Sequence, residues 1–205
     1  MPIQLKSRRD IEGMRRAGHV ARSILQKMED AAQPGVSTGE LDELVRRELE
    51  AAGARSLSKN YRAGGSTPYP GYSCISVNEE VVHGIPGSRR LKEGDIVTLD
   101  LALSLDGFCS DTARTVSIGP VSPKVQKLLD VTQKALDLAL EHMKPDKKWS
   151  EIARLIQYCV ESAGFNVVRE FVGHGIGRTM HEDPKVPNFV TGEQLRGDFR
   201  LKPGM

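Results

Sequence analysis

The sequence predicts an α+β fold in which helices cover one side of an antiparallel sheet and the second half of the chain repeats the first. Three observations support this prediction. Four amphipathic segments carry helix caps, two apolar runs are joined by Asp106-Gly107, and one helical segment recurs 111 residues later. Asp-Gly between apolar runs is the strongest short signal for a hairpin, and helices that bury one face against a sheet form a two-layer domain.

The helices are predicted from hydrophobic periodicity and from capping residues. Ser37 and Glu40 form a capping-box pattern, in which each side chain satisfies a free backbone N–H of the other residue. Pro123 follows Ser122, and proline favours the first position of a helix. The predicted helices span residues 7 to about 33, 37 to 53, 122 to about 143, and 150 to 164.

The strands are predicted between the two pairs of helices. Residues 75–77 and 81–82 form short apolar segments, and residues 96–103 and 108–116 form longer ones. The longer pair flanks Asp106-Gly107, which predicts an antiparallel hairpin with a two-residue loop.

An internal repeat relates the two halves of the chain. Residues 34–53 resemble residues 145–164, and the tripeptide at 83–85 recurs at 174–176. Chance similarity between amphipathic helices is the alternative explanation, but several ordered matches favour a duplication. We therefore predict one catalytic domain over residues 1–205, with halves of about 1–120 and 121–205 and a truncated second half.

Composition excludes several classes of protein. The 29 basic and 27 acidic residues are interspersed, which argues against nucleic acid as the main ligand. Cys74, Cys109 and Cys159 form no C-x-x-C pair, so a disulfide framework is not expected and a reducing compartment is favoured. The sequence has no signal-peptide pattern and no apolar run of membrane-spanning length, so we expect a cytoplasmic protein without a membrane partner.

Two aspartates are placed together by the predicted hairpin. Asp100 lies in the apolar run 96–103, where a buried carboxylate must be paired, protonated or bound to a metal. With Asp106-Gly107 as the loop, Asp111 lies opposite Ala102, on the same face as Asp100. This spacing suits two carboxylates that share a pair of metal ions. Pairing of Asp100 with a buried arginine, with Asp111 capping a turn, is the structural alternative.

Three histidines strengthen the metal interpretation. His174 lies between glycines, which allows a substrate or a metal to approach the backbone closely. His181 precedes two acidic residues, and His83 precedes Gly84. One such histidine usually marks a turn, whereas three together with two strand carboxylates indicate a catalytic site.

Three segments resemble the signature segments of type I methionine aminopeptidases. They are residues 76–86 (SVNEEVVHGIP), 98–115 (TLDLALSLDGFCSDTART) and 173–184 (GHGIGRTMHEDP). The resemblance implies the duplicated pita-bread fold, and it implies hydrolytic removal of the initiator methionine from proteins with a small second residue, by attack of metal-activated water. The implied site has the metal ligands Asp100, Asp111 and His174, the catalytic and substrate-contacting His83 and His181, and the methionine-pocket residues Tyr69 and Cys74.

The resemblance also implies cofactors and partners. Two divalent ions are expected, and the ligand types leave cobalt, manganese, iron and zinc open. The expected partners are nascent polypeptide N-termini near the ribosome, and the protein is expected to be a monomer. Met180 stands where the family usually has phenylalanine and Ser66 where tyrosine is common, which leaves the shape of the methionine pocket open.

The family's last two ligands are glutamates that follow the L-K-P-G-M segment, and the sequence stops at that segment, at Met205. We therefore expect a fragment that is inactive by itself, with a degenerate member of the family as the alternative. Two other functions remain open. A relative that has lost metal ligands would be a binding module, but Asp100, Asp111 and His174 are all present. A prolidase or aminopeptidase P would need features for recognising proline.

Overall fold

The computed structural model describes residues 3–62 and 67–205, and the chain divides into two compact units. The N-terminal unit consists of Arg9–Ser122 with Ile176–Met180. The C-terminal unit consists of Met1–Arg8, Pro123–Gly175 and His181–Met205. These bounds lie close to the predicted halves, and the single catalytic domain stays a prediction.

A pair of helices precedes a run of strands in each unit, the segregated order expected for an α+β fold. The N-terminal unit contains α1 (Arg8–Ala31, whose first residue belongs to the other unit), α2 (Thr38–Ala51), β1 (Arg55–Ser56), β2 (Cys74–Val77), β3 (Ile96–Leu105) and β4 (Phe108–Ser117). The C-terminal unit contains α3 (Pro123–His142), α4 (Trp149–Ser162), β5 (Gly173–Gly175), β6 (Glu182–Val186) and α5 (Gly192–Arg196).

A four-stranded antiparallel sheet forms the centre of the N-terminal unit. β3 pairs with β1, β2 and β4. Side chains alternate along a strand, so one face of β3 carries the apolar residues and the other carries Asp100 and Ala102. The apolar face packs against α1 and α2 in one buried cluster, whose β3 members are Val97, Leu99, Leu101 and Leu103. The aspartate therefore lies on the face of β3 opposite to these helices.

The C-terminal unit is built on the pair α3 and α4 and on the two-stranded ribbon of β5 and β6. Its buried cluster includes Trp149 and Ile152 of α4 and Ala139 of α3. The indole N–H of Trp149 donates to the carbonyl of Pro187 (2.8 Å), which satisfies the polar group of this buried ring.

The two units repeat the same local hydrogen bonds, as the duplicated fold requires. The N–H of Gly35 donates to the carbonyl of Leu91 (2.8 Å), and the N–H of Asp146 donates to that of Leu201 (2.9 Å). These positions are related by the sequence offsets of 111 and 110. The isolated bridges Ser37–Arg90 and Lys148–Arg200 are related in the same way.

The predicted helices, the strand at 75–77 and the long hairpin are confirmed, with bounds that differ by a few residues. The predicted strand at 81–82 is wrong. The chain turns after Val77, where the Glu80 carboxylate accepts the Val77 N–H (2.7 Å), and both Val81 and Val82 are exposed outside any strand. The short elements β1, β5, β6 and α5 were not predicted, because glycine, proline and polar residues in them hide the periodicity.

Candidate active site

The hairpin has the register that its Asp-Gly loop predicts. Asp111 lies opposite Ala102, and Asp100 lies opposite Ala113, so both carboxylates belong to one face of the sheet. The hydroxyls of Thr98 and Thr115, which form another cross-strand pair on this face, lie 2.8 Å apart. The two-residue loop therefore fixes the relation of the two aspartates.

Asp100 is largely buried beside a second carboxylate. Burial, and then the negative charge of Asp111, raise the pKa of the Asp100 carboxyl to about 7. No Lys or Arg among residues 3–62 and 67–205 forms an ion pair with Asp100, so the buried-arginine alternative finds no support in this part of the chain. A divalent cation would neutralise both carboxylates, and oxygen donors of this kind suit one.

The strand on the other side of β3 brings two predicted pocket residues to Asp100. Cys74 in β2 is the direct partner of Asp100. Burial raises the pKa of the Cys74 thiol to about 11, and burial also raises the pKa of the Tyr69 phenol, which lies beside Cys74. The Tyr69 hydroxyl donates to the carbonyl of Gly84 (2.7 Å). Both groups are therefore uncharged at neutral pH.

A carboxylate that the sequence analysis overlooked positions this segment. Asp42 of α2 accepts hydrogen bonds from the backbone N–H groups of Tyr72 (2.9 Å) and Ser73 (2.8 Å), and from the Ser73 hydroxyl (2.8 Å). These bonds fix the chain between Tyr69 and Cys74. The sequence carries no signal for this contact, because Asp42 reads as an ordinary polar position on an amphipathic helix.

His83 is held on the edge of the same sheet by its neighbour Gly84. His83 has a left-handed backbone (φ 60°), and Gly84 accepts the N–H of Ile75 in β2 (2.9 Å). A Cβ on Gly84 would lie 2.4 Å from the carbonyl oxygen of Ile75, so only glycine permits this approach. The histidine is thus fixed next to the strand that pairs with Asp100.

Gly84→Ala is expected to destabilise the chain by about 1–3 kcal/mol, because the added methyl group overlaps backbone atoms that cannot rotate away. Thermal unfolding followed by circular dichroism measures the effect. Gly87→Ala is the matched control, since a Cβ at that position meets nothing within 4 Å. Equal melting temperatures for the two variants would contradict the close approach.

His174 and His181 form a second group, inside the C-terminal unit. Their ring centroids lie 4.4 Å apart with planes tilted by 54°. His174 belongs to β5, and His181 directly precedes β6. One ring nitrogen of His174, Nδ1, lies 3.0 Å from the carbonyl of Gly175, which orients the imidazole. The antiparallel ribbon therefore brings these two predicted site residues together.

The segment between these histidines, Ile176–Met180, belongs to the N-terminal unit. The N–H of Cys109 in β4 donates to the carbonyl of Gly177 (2.8 Å), and the Arg178 guanidinium lies 4.4 Å from the centroid of the Phe108 ring. Met180 ends this segment and is partly buried, whereas Ser66 lies outside the described residues. Segment Ile176–Met180 is thus fixed to the strand that carries Asp111.

No group of three or more His, Cys, Asp or Glu side chains within residues 3–62 and 67–205 is close enough to hold a metal ion. Among the helices in the described part of the chain, none has the length and apolar character needed to cross a membrane.

Comparison with known proteins gives one consistent family. Residues 12–205 match the sequence model of Metallopeptidase family M24. The chain is 42% identical over 203 residues to "Methionine aminopeptidase 1" of Bacillus subtilis (strain 168), covering 99% of this chain and 79% of that protein. It is 41% identical over 209 residues to "Methionine aminopeptidase" of Escherichia coli (strain K12), covering 100% of this chain and 75% of that protein.

Solved structures show the same fold. Methionine aminopeptidase from Rickettsia prowazekii matches with a TM-score of 0.90 and 34% identity, over 99% of this chain and 79% of that one. Prolidase from Pyrococcus furiosus matches with a TM-score of 0.81 and 20% identity, over 98% of this chain and 55% of that one. The prolidase likeness, at this identity, concerns the fold alone.

The matched range and the carboxylate-bearing hairpin define the class: the chain belongs to metallopeptidase family M24. Within that family it groups with the methionine aminopeptidases, since relatives of that name exceed 40% identity over nearly its whole length. The predicted resemblance and the predicted α+β pita-bread fold are confirmed.

Proposed function

We propose that the chain is a metal-dependent aminopeptidase that removes the initiator methionine from proteins with a small second residue. The observation that carries this proposal is the pair Asp100 and Asp111, held on one face of the β3–β4 hairpin with no cation paired to Asp100 in the described residues. Relatives named methionine aminopeptidase are more than 40% identical to this chain over nearly its whole length. This similarity favours methionine over proline-containing substrates.

Asp100, Asp111 and His174 are the residues that would hold the divalent ions. Carboxylate and imidazole donors suit manganese, iron, cobalt or zinc. Bound divalent ions would supply Lewis acidity to the scissile amide. The support for including His174 is the resemblance of residues 173–184 to a signature segment of the family.

The remaining residues are proposed to bind and orient the substrate. His83 and His181 would orient the scissile amide and donate to the oxygen on which negative charge develops. Tyr69 and Cys74 would line the pocket for the methionine side chain, and their raised pKa values keep both groups neutral beside an apolar thioether. Met180 would contribute a flexible wall to the same pocket.

We infer a cytoplasmic protein that acts as a monomer on nascent polypeptide N-termini near the ribosome. The absence of any cysteine pairing pattern and the interspersed charges support this setting. Neither a membrane nor a nucleic acid is proposed as its main ligand.

The function is tested on an extended chain, which we define as residues 1–205 joined to the residues of the Bacillus subtilis relative that follow its matched region. With Mn²⁺, Co²⁺ or Fe²⁺, the extended chain should release methionine from Met-Gly and Met-Ala peptides and spare Met-Lys peptides, since the proposed substrates have a small second residue. A chelator should abolish release, and added metal should restore it. Free methionine is measured by coupled oxidation, and cleavage of X-Pro peptides without methionine release would overturn the proposal.

A further inference from the structure

We propose that Lys6 is a positioning residue for His181, acting through Glu182. The ammonium of Lys6 forms an ion pair with the carboxylate of Glu182, the residue that follows His181 and opens β6. Lys6 lies before the first helix, α1, so this contact brings the N-terminal segment next to His181. The catalytic consequence rests on the proposed function, whereas the structural claim does not.

The ion pair is partly buried, and it is less exposed than the ion pairs of Lys27 and Lys147 in the described part of the chain. The Lys6 and Glu182 side chains are 13% and 14% exposed, whereas Lys147 and Glu151, in the same unit, are 51% and 48% exposed. Exposed pairs contribute little to stability or geometry. Replacing Lys6 removes the attraction that holds the Glu182 carboxylate at this place, so the side chain is expected to shift. Such a move would displace Glu182 and the residue before it.

The backbone of Lys6 is fixed at the same place as its side chain. Its N–H donates to the carbonyl of Gly204 (2.6 Å), and a Cβ on Gly204 would lie 2.9 Å from the carbonyl oxygen of Lys6. Gly204 also has a left-handed backbone (φ 91°), which favours glycine. The ammonium therefore reaches Glu182 from an anchored main chain, so the ion pair restrains β6 rather than following its motion.

The restraint is passed to the histidines through the β5–β6 ribbon. Glu182 is the backbone partner of Gly175, the residue after His174, at the place where the register of the ribbon shifts. Such an irregular pair gives weaker restraint than a continuous ladder. The Lys6 ion pair adds a second restraint next to His181, whose ring lies 4.4 Å from that of His174. We infer that the distance between the two rings depends on Lys6.

Histidine-selective NMR on the 205-residue chain tests this inference without relying on activity. In Lys6→Met, the ring signals of His174 and His181 should shift and the NOE between the two rings should be lost, while the signal of His142 in α3 stays unchanged. Lys6→Arg should retain the wild-type signals, because it keeps the positive charge. Lys147→Met is the matched control and should alter neither histidine.

The double variant Lys6→Met/Glu182→Met separates positioning from stability. Replacing both members of an ion pair with apolar groups of similar size is often neutral for stability, so the melting temperature should recover even if Lys6→Met unfolds. Positioning predicts that the NOE stays lost in this stable protein and that, in the extended chain, kcat falls by about 10²-fold with KM unchanged. Wild-type histidine signals and an intact NOE in the double variant would overturn the proposal. A lost NOE in an extended chain that never releases methionine would refute the proposed function alone.

Discussion

The extended chain should release methionine at a rate roughly 10²–10⁴-fold above that of residues 1–205 alone, the range expected when a general base is added. The family resemblance assigns the last two metal ligands to glutamates, and the first of them is also the expected base. The extended chain should also bind a second divalent ion tightly and give a higher soluble yield. The predicted gain therefore concerns the metal content and the fold as well as the rate.

The C-terminal unit gives a physical reason for the expected gain in solubility. Its helices expose several large apolar side chains: Leu136 is 54% exposed, Leu140 59% and Tyr158 73%. The buried residues of α3 are only Ala135 and Ala139, whereas α1 buries Ile24, Leu25 and Met28. An exposed apolar face of this kind favours aggregation unless another element covers it.

The internal repeat indicates what that element should be. In the N-terminal unit, Gly94 leads into β3, whose apolar face packs against α1 and α2 and whose opposite face carries Asp100. Gly204 is the counterpart of Gly94 at the offset of 110, and both have φ of 91°. A counterpart of Asp100 is therefore expected near position 210, within a strand that covers α3 and α4. The position expected for the family's first glutamate agrees with this spacing.

Expressing the two lengths side by side measures the effect by soluble yield, bound metal and methionine release. An extended chain in which the added segment carries glutamine at its first expected ligand is the matched control, and it should be soluble but inactive. Full activity of residues 1–205 alone would show that the site is built from other residues.

The sequence predicted the carboxylate pair because its geometry is local. A two-residue Asp-Gly loop leaves a single register for the hairpin, so the pairing of Asp111 with Ala102 follows from counting. The capping box at Ser37 and Glu40 was also predictable from the sequence, since both residues lie within one helical turn. Features of this kind depend on a few residues that are close together in the sequence.

Contacts between distant segments could not be predicted in this way. Lys6 and Glu182 are separated by 176 residues, and neither has a local feature that predicts their ion pair. Asp42 is similar, because its role depends on where the loop before Cys74 passes over α2. The wrong prediction of a strand at 81–82 also reflects distant contacts. Two adjacent valines favour a strand locally, but a strand forms only where a partner strand lies beside it.

Asp111→Asn in the extended chain should remove bound metal and activity together. Asp111 is one of the proposed metal ligands, so the loss of its negative charge weakens the attraction for the divalent ions. It also leaves Asp100 without the neighbour whose charge contributes to its raised pKa. Metal content measured by plasma emission and methionine release from Met-Ala should both fall to background, while thermal unfolding shows that the variant remains folded.

His181→Ala should separate metal binding from substrate binding, because His181 is proposed to contact the substrate and not the metal. The variant should keep its metal content while kcat falls by roughly 10²–10³-fold, the usual loss for one donor to a developing oxyanion. His142→Ala is the control, since that ring is bonded to the carbonyl of Leu138 within α3 and should leave both metal and rate unchanged. His181 and His174 lie side by side, so the imidazole could instead belong to the metal shell. Loss of bound metal in His181→Ala would assign it there and contradict the proposed division of roles.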